Sequence, residues 1–345
     1  MKLFEAAGED VRGRSAWSWI LSASLAALLL WWALRGVEWK QVAAILTHAD
    51  WRLVAAAAGA TSFSLFLRGF RWRILLNATC RLSISTVFWA NNAGYLGNNL
   101  LPARAGELIR SFLISSRSAL SRTYVLTTAL SERLMDVIAL VLWSSLLLLR
   151  IHPKPQWMED LSRTMAVVAS AGAVAITVLP HTGRLLEMVI RRIPMPARLR
   201  EQALGLAAQA LSGMRALHDW RRCAGFAALT VVIWLLDTVG AMSMGRALGL
   251  ALPFSTAFLL LTGMGLSSAL PSTPGYVGIF QFVAVTVLTP FGYSRSSAIA
   301  LVLALQAVAY AVVLGFGLVA LWKLKSEKSR SPQIPGGARY AGRRL

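Results

Sequence analysis

Six apolar blocks, at about residues 16–34, 52–67, 123–149, 164–180, 223–244 and 296–321, constrain this chain more than any other feature. A hydrocarbon layer about 30 Å thick takes about 20 helical residues to cross, and each block is of that order. Within such a layer every backbone N–H and C=O must find a partner inside the chain, so the blocks read as helices. A soluble chain of 345 residues would need far more than 14% charged residues to coat its surface. The first block lacks a small-residue cleavage site and ends in Trp31-Trp32-Ala33-Leu34-Arg35, so it reads as a retained span.

Two further regions, 87–116 and 253–290, are apolar but broken by polar residues, Pro and Gly. Each reads as two half-helices meeting at a bend; for 253–290, two ordinary crossings joined by a short loop satisfy the pattern equally well. The net charge of +20 first suggests nucleic acid. The Lys and Arg, however, lie in the short segments between blocks and in the C-terminal tail, the pattern of membrane topology and anionic headgroups, so nucleic acid is not an expected partner. With a cytoplasmic N-terminus and each broken region entering and leaving on one side, 26 of the 35 Lys and Arg fall in inside segments and 8 in outside ones, with Arg133 inside a span. The expectation is a multi-pass protein of the inner (cytoplasmic) membrane with both termini cytoplasmic. It comprises a tail at 1–15, one transmembrane domain at 16–322 and a basic, disordered tail at 323–345.

This threading gives each half the order span, span, broken pair, span. Three spans per half invert the second half (164–321) relative to the first (16–149), and the breaks match: Leu101-Pro102 with Gly106, and Leu270-Pro271 with Gly275. The expected fold is therefore an all-α polytopic membrane protein with about six full spans and two re-entrant helix pairs in an inverted repeat. Paired Gly/Pro-interrupted segments in inverted halves point to a transporter site near the bilayer midplane.

Ionisable residues held in a bilayer cost at least a few kcal/mol each, which makes them functional candidates. The first cluster is Asn98, Asn99, Pro102, Arg104, Gly106, Glu107 and Arg110. A half-helix starting near 103–106 would aim free N–H groups at an anion, with Arg104 and Arg110 as bidentate phosphate contacts. The alternative is that both arginines snorkel to the cytoplasmic edge. Glu107 lies three residues from each arginine and can pair with either. The second cluster is Glu132, Arg133 and Asp136, where the acids share a face and Arg133 reaches Asp136; it is either a structural ion pair or a headgroup or proton site. The third is the break Pro271, Ser272, Thr273, Pro274, Gly275, Gly278 and Gln281, where hydroxyls and an amide can bind a ligand, although chain geometry alone explains the Pro and Gly. Asp237 is a lone acid, either a protonation site or a partner of Thr238, while Arg68, Arg71 and Trp72 form a basic-aromatic collar expected to anchor the membrane edge or to collect headgroups. The segment 181–222 reads as an amphipathic helix on the inner leaflet. The isolated histidines and the two cysteines form no metal-ligand spacing, so no metal and no cofactor are expected.

Arg68-Gly69-Phe70-Arg71-Trp72, the run Asn99 to Arg110, Ser131-Glu132-Arg133-Leu134-Met135-Asp136 and Pro271 through Gly278 occur in an order and spacing that resembles the flippase-like membrane domain typified by the membrane portion of lysylphosphatidylglycerol synthases. The resemblance covers about 15–322 and implies a lipid-translocating domain, with relatives linked to aminoacylated phosphatidylglycerol, hopanoids or polyprenyl-linked saccharides. Tyr276 and Gln281 stand where that family often has a second Gly and an acid, which argues against a carboxylate role in the second break. Only 23 basic-tail residues follow Trp322, so the synthase reaction is not expected. The leading expectation is a transporter of a phospholipid or other amphipathic lipid, in which Arg104 and Arg133 bind phosphate and the acids balance charge. No Walker motif is present. The rivals are a non-catalytic membrane subunit of a separate enzyme and an intramembrane headgroup transferase, for which no His or Cys lies at depth. Expected partners are anionic lipids, with a homo-oligomer or partner enzyme as a further possibility.

Overall fold

The computed structural model describes residues 16–101, 105–150, 183–193, 219–268 and 274–330, with scattered positions between 156 and 205. Every regular element among the described residues is helical: α1 Ala16–Leu34, α2 Trp39–Thr47, α3 Trp51–Leu76, α4 Ile84–Leu100, α5 Gly106–Ser115, α6 Arg122–Arg150, α7 Gly183–Arg192, α8 Trp220–Ala247, α9 Phe254–Ser267, α10 Ile279–Leu288 and α11 Arg295–Arg330. Three of them, α3, α8 and α11 through Lys323, are long and apolar enough to cross a membrane by length and composition. The expected span at 164–180 falls largely outside the described residues, as do Pro102, Ala103, Arg104 and 269–273.

Short polar residues fix where the helices start. Asp50 accepts from Arg52 N–H at 2.9 Å, Ser83 from Thr86 N–H at 3.1 Å and Asp219 from Arg221 N–H at 2.9 Å, each satisfying a donor that the first turn leaves without an intrahelical partner. The segment 35–52, expected as a plain connection, contains α2, whose Val42, Ile45 and Leu46 share a face and join the core that α11 also builds. The i, i+3, i+4 spacing was present in the sequence, but nine residues are too few to stand out beside spans.

Each broken region folds as two short helices packed on one another, α4 on α5 and α9 on α10. In the first, α5 crosses α4 so closely that a Cβ on Gly106 would collide with the Gly94 carbonyl oxygen and with Asn98. Only a residue without a side chain fits there. In the second, Gly278 has φ +91° and lies against the Ala26 backbone of α1, with the Ala26 carbonyl carbon 3.0 Å from where a Cβ would stand. α4 also touches the turn Pro274–Tyr276, so the two interrupted regions meet.

Two apolar cores form at different heights along α3 and α8. One gathers Ala57 of α3 and Ala241 and Met244 of α8 with residues of α9, α10 and α11. The other gathers Trp72, Leu75 and Leu76 of α3 and Phe226 of α8 with Ile114 and Val125. Between them, α3 contributes Arg68 and Arg71, and α8 contributes Thr230, Trp234 and Asp237. Those positions hold the site.

Candidate functional site: a charge-balanced network between helices

Asp136 lies fourteen residues from either end of α6, about 21 Å along the axis in each direction. Glu132, one turn earlier, faces the same way. Arg71 of α3 enters between them: it forks Asp136 with contacts of 2.6 and 2.8 Å, reaches Glu132 at 2.9 Å and donates to the Thr230 hydroxyl at 3.0 Å. None of the Arg71 side chain is exposed, and its guanidinium lies 4.9 Å from the centre of the Phe226 ring. The second oxygen of Glu132 accepts from Arg110 of α5 at 3.1 Å, so one carboxylate ties α3 to α5. Arg110 also donates to the Asn91 side-chain oxygen at 2.8 Å, pairs with Glu107 at 2.5 Å and lies over the Trp72 ring at 4.5 Å.

Two arms leave this centre. On one side Arg68 pairs with Asp237 of α8 at 2.6 Å and approaches Asp136 at 3.9 Å, and the Trp234 indole donates to Asp136 at 3.2 Å. On the other, Glu107 gives its remaining oxygen to Arg133 at 3.2 Å, and Arg133 lies 5.5 Å from the Tyr95 ring centre. Among the described residues the network holds four arginines (68, 71, 110, 133) and four carboxylates (107, 132, 136, 237), so its charge cancels. Burying a charge is tolerable only when it is paired and hydrogen-bonded, and the forked contacts meet that condition. A small hollow of about 20 Å³ opens beside Thr230 and Trp234, lined also by Ala139, Trp143, Val231, Leu235 and Phe258.

Several sequence expectations change. Arg71 and Trp72, expected as a collar at the membrane edge, are fully buried, and Arg68 is nearly so. α3 continues nine residues past the apolar block that ended at 67, and that extension packs inside the bundle against α4, α6 and α8, where Trp72 donates to Thr128 at 3.2 Å. Arg110 does not snorkel, since it is 2% exposed and points inward. Arg133 pairs with Glu107 of α5 instead of Asp136, because Arg71 already occupies both Asp136 oxygens. The anion seat expected at the start of α5 is partly filled by the protein: Asn98 accepts from Gly106 N–H at 3.0 Å, while Asn99 is half-buried. Asp237 serves Arg68, and Thr238 donates to the Trp234 carbonyl instead. Gln281 is 3% exposed with both amide atoms engaged, accepting from Gly278 N–H at 2.7 Å and donating to Gln306 at 2.6 Å. Gln306 in turn donates to the Gly275 carbonyl at 3.1 Å, so these glutamines hold the break beside Pro274 together and are not open to ligand. Arg104, Pro102, Pro271, Ser272 and Thr273 lie outside the described residues.

Asn91, Thr230 and Trp234 were not expected at the site. The sequence signal was available: two acids four residues apart in an apolar helix require a cation with forked donors, and Arg68 and Arg71 share a face three residues apart.

The bundle with a charged interior defines the class as a multi-pass membrane protein. The chain belongs to the family described as the lysylphosphatidylglycerol synthase TM region, whose profile matches residues 19–317. It is 25% identical over 283 residues to the glycosyltransferase AglD of Haloferax volcanii, an alignment covering 73% of this chain and 45% of that protein, so less than half of that relative is matched. It is also 21% identical over 308 residues to the UPF0104 membrane protein PH1989 of Pyrococcus horikoshii, covering 81% of this chain and 88% of that one. No solved structure matches the chain significantly.

Proposed function

We propose that this protein moves an amphipathic lipid with an anionic phosphate headgroup between the two leaflets of the inner membrane. The observation that carries this reading is the mid-helix position of the network, with Asp136 about 21 Å from either end of α6. If α6 spans, a set of paired charges sits at the depth where a headgroup meets its largest barrier, and transporters place substrate sites there. In this reading the two interrupted hairpins are re-entrant, the halves are inverted, the termini are cytoplasmic, and Arg133 receives the phosphate. Such a protein carries lipid without making or breaking its bonds.

The test is reconstitution in phosphatidylglycerol-containing liposomes with a headgroup-labelled fluorescent phosphatidylglycerol and a membrane-impermeant quencher. The expected result is exchange of label between leaflets faster than in protein-free vesicles, slowed at least tenfold by Arg133→Ala. Exchange no faster than in empty vesicles refutes the reading. A second reading, a membrane subunit that supports a separate glycan- or lipid-modifying enzyme, draws on the partial match to a protein named as a glycosyltransferase. Co-purification with such an enzyme and no lipid exchange by this chain alone would favour it.

A further inference from the structure

Glu107 is the acid of the network that joins a buried arginine to its most exposed one. Its two oxygens bridge guanidiniums on different helices, Arg110 at 2.5 Å and Arg133 at 3.2 Å. Arg133 is the most exposed arginine of the network, at 31%, and Glu107 is its one ion pair among the described residues. Glu132, by contrast, is 1% exposed and locked between Arg71 and Arg110. A phosphodiester shares one negative charge between two oxygens on one centre, as a carboxylate does, and an arginine fork donates to either.

The surroundings favour a lipid as the source of that phosphodiester. Leu108 on α5, next to Glu107, and Leu130 and Leu134 on α6, on the same helix as Arg133, are 57%, 54% and 39% exposed, a surface fit for acyl chains and poor for a soluble phosphate. Charge accounting sets the second requirement. Among the described residues four arginines balance four carboxylates, so adding a monoanion leaves this network with one uncompensated negative charge in an apolar interior, which is costly. Among the described residues the groups facing Glu107 are few. Its own helix offers Arg110, α6 offers Arg133 with Glu132 one contact beyond, and α4 offers Tyr95 and no charged residue; Arg122 lies over Phe112 toward the other end of α5.

We propose that Glu107 occupies the seat of a lipid phosphodiester: the incoming phosphate takes Arg133 and Arg110 in its place, and the displaced carboxylate is neutralised by one proton from the aqueous phase. No covalent bond to the lipid changes; a carboxylate and a proton become a carboxylic acid, and lipid anion and proton enter together. The inference rests on the lipid-transport reading and assigns its substrate class and accompanying ion.

The experiment is calorimetric titration of the full chain in a neutral detergent with dioctanoyl phosphatidylglycerol, repeated in buffers of different ionisation enthalpy. The expected result is uptake of close to one proton per lipid by the native protein. Glu107→Gln should bind about tenfold tighter, having no competing anion, with no proton uptake. Binding by native protein without proton uptake, or uptake that persists in Glu107→Gln, overturns the proposal. Glycerophosphoglycerol, the same phosphodiester without its acyl chains, binding as tightly as the lipid overturns it too, because the site would then serve a soluble phosphodiester. The native measurement stands alone if the variant does not fold. Lipid exchange in vesicles with no proton uptake on binding sinks this inference and leaves transport intact; proton-linked binding with no exchange does the reverse.

Discussion

Arg71→Ala is the sharpest test of how the interior is held together. Arg71 makes contacts of 2.6 and 2.8 Å to Asp136, 2.9 Å to Glu132 and 3.0 Å to Thr230, with no exposed surface. Truncation leaves Glu132 with Arg110 at 3.1 Å, leaves Asp136 with Trp234 at 3.2 Å and a distant Arg68 at 3.9 Å, and leaves one net negative charge inside. Breaking one side of a buried pair costs about 3–5 kcal/mol, and the space left beside Phe226 places the change toward the upper end. The double variant Arg71→Met, Asp136→Leu removes equal and opposite charge, while Arg68 keeps Asp237 at 2.6 Å and Glu132 keeps Arg110. It should therefore lie within about 2 kcal/mol of the native protein, recovering about 2 kcal/mol or more relative to Arg71→Ala. The assay is unfolding in mixed micelles of rising dodecyl sulfate fraction, followed by tryptophan fluorescence. A single variant within about 1 kcal/mol of native, or a double variant no more stable than the single, would refute the claim that Arg71 compensates both acids.

Two further outcomes follow from packing. Gly106→Ala forces apart the backbones of α4 and α5 and should cost about 3 kcal/mol or more, whereas Gly59→Ala, with nothing within 4 Å of its added methyl, should be neutral or stabilise by about 0.5–1 kcal/mol; the same unfolding assay compares them. Gln281→Leu leaves Gly278 N–H and the Gln306 side chain short of a partner each and should cost about 1–3 kcal/mol, read as a lowered midpoint with no change in the rate of lipid exchange per folded molecule.

Much of this architecture could be read from the sequence because hydropathy and Pro/Gly punctuation are local properties. The interruption at 101–106 and the one at 269–278 both separate paired short helices, and Glu132 and Asp136 do share a buried face. What escaped were matters of partnership. Arg71 follows an apolar block and so resembled a boundary residue, yet the helix runs on to Leu76 and its last two turns bury Arg71, Trp72, Leu75 and Leu76. Arg133 was matched with Asp136 by spacing alone, although a guanidinium three residues away on the same helix competes poorly with one from α3 that forks both oxygens. Gln281 looked available to a ligand because nothing in the sequence says that Gln306, twenty-five residues later, lies opposite it.

The cancellation of charge between these helices has an electrical meaning. A single uncompensated charge carried across a membrane exchanges about 2.3 kcal/mol with the field for every 100 mV. A block bearing as many arginines as carboxylates can tilt or slide in that field with almost no net work done on it. Polarisation of the membrane therefore has little grip on the paired side chains themselves.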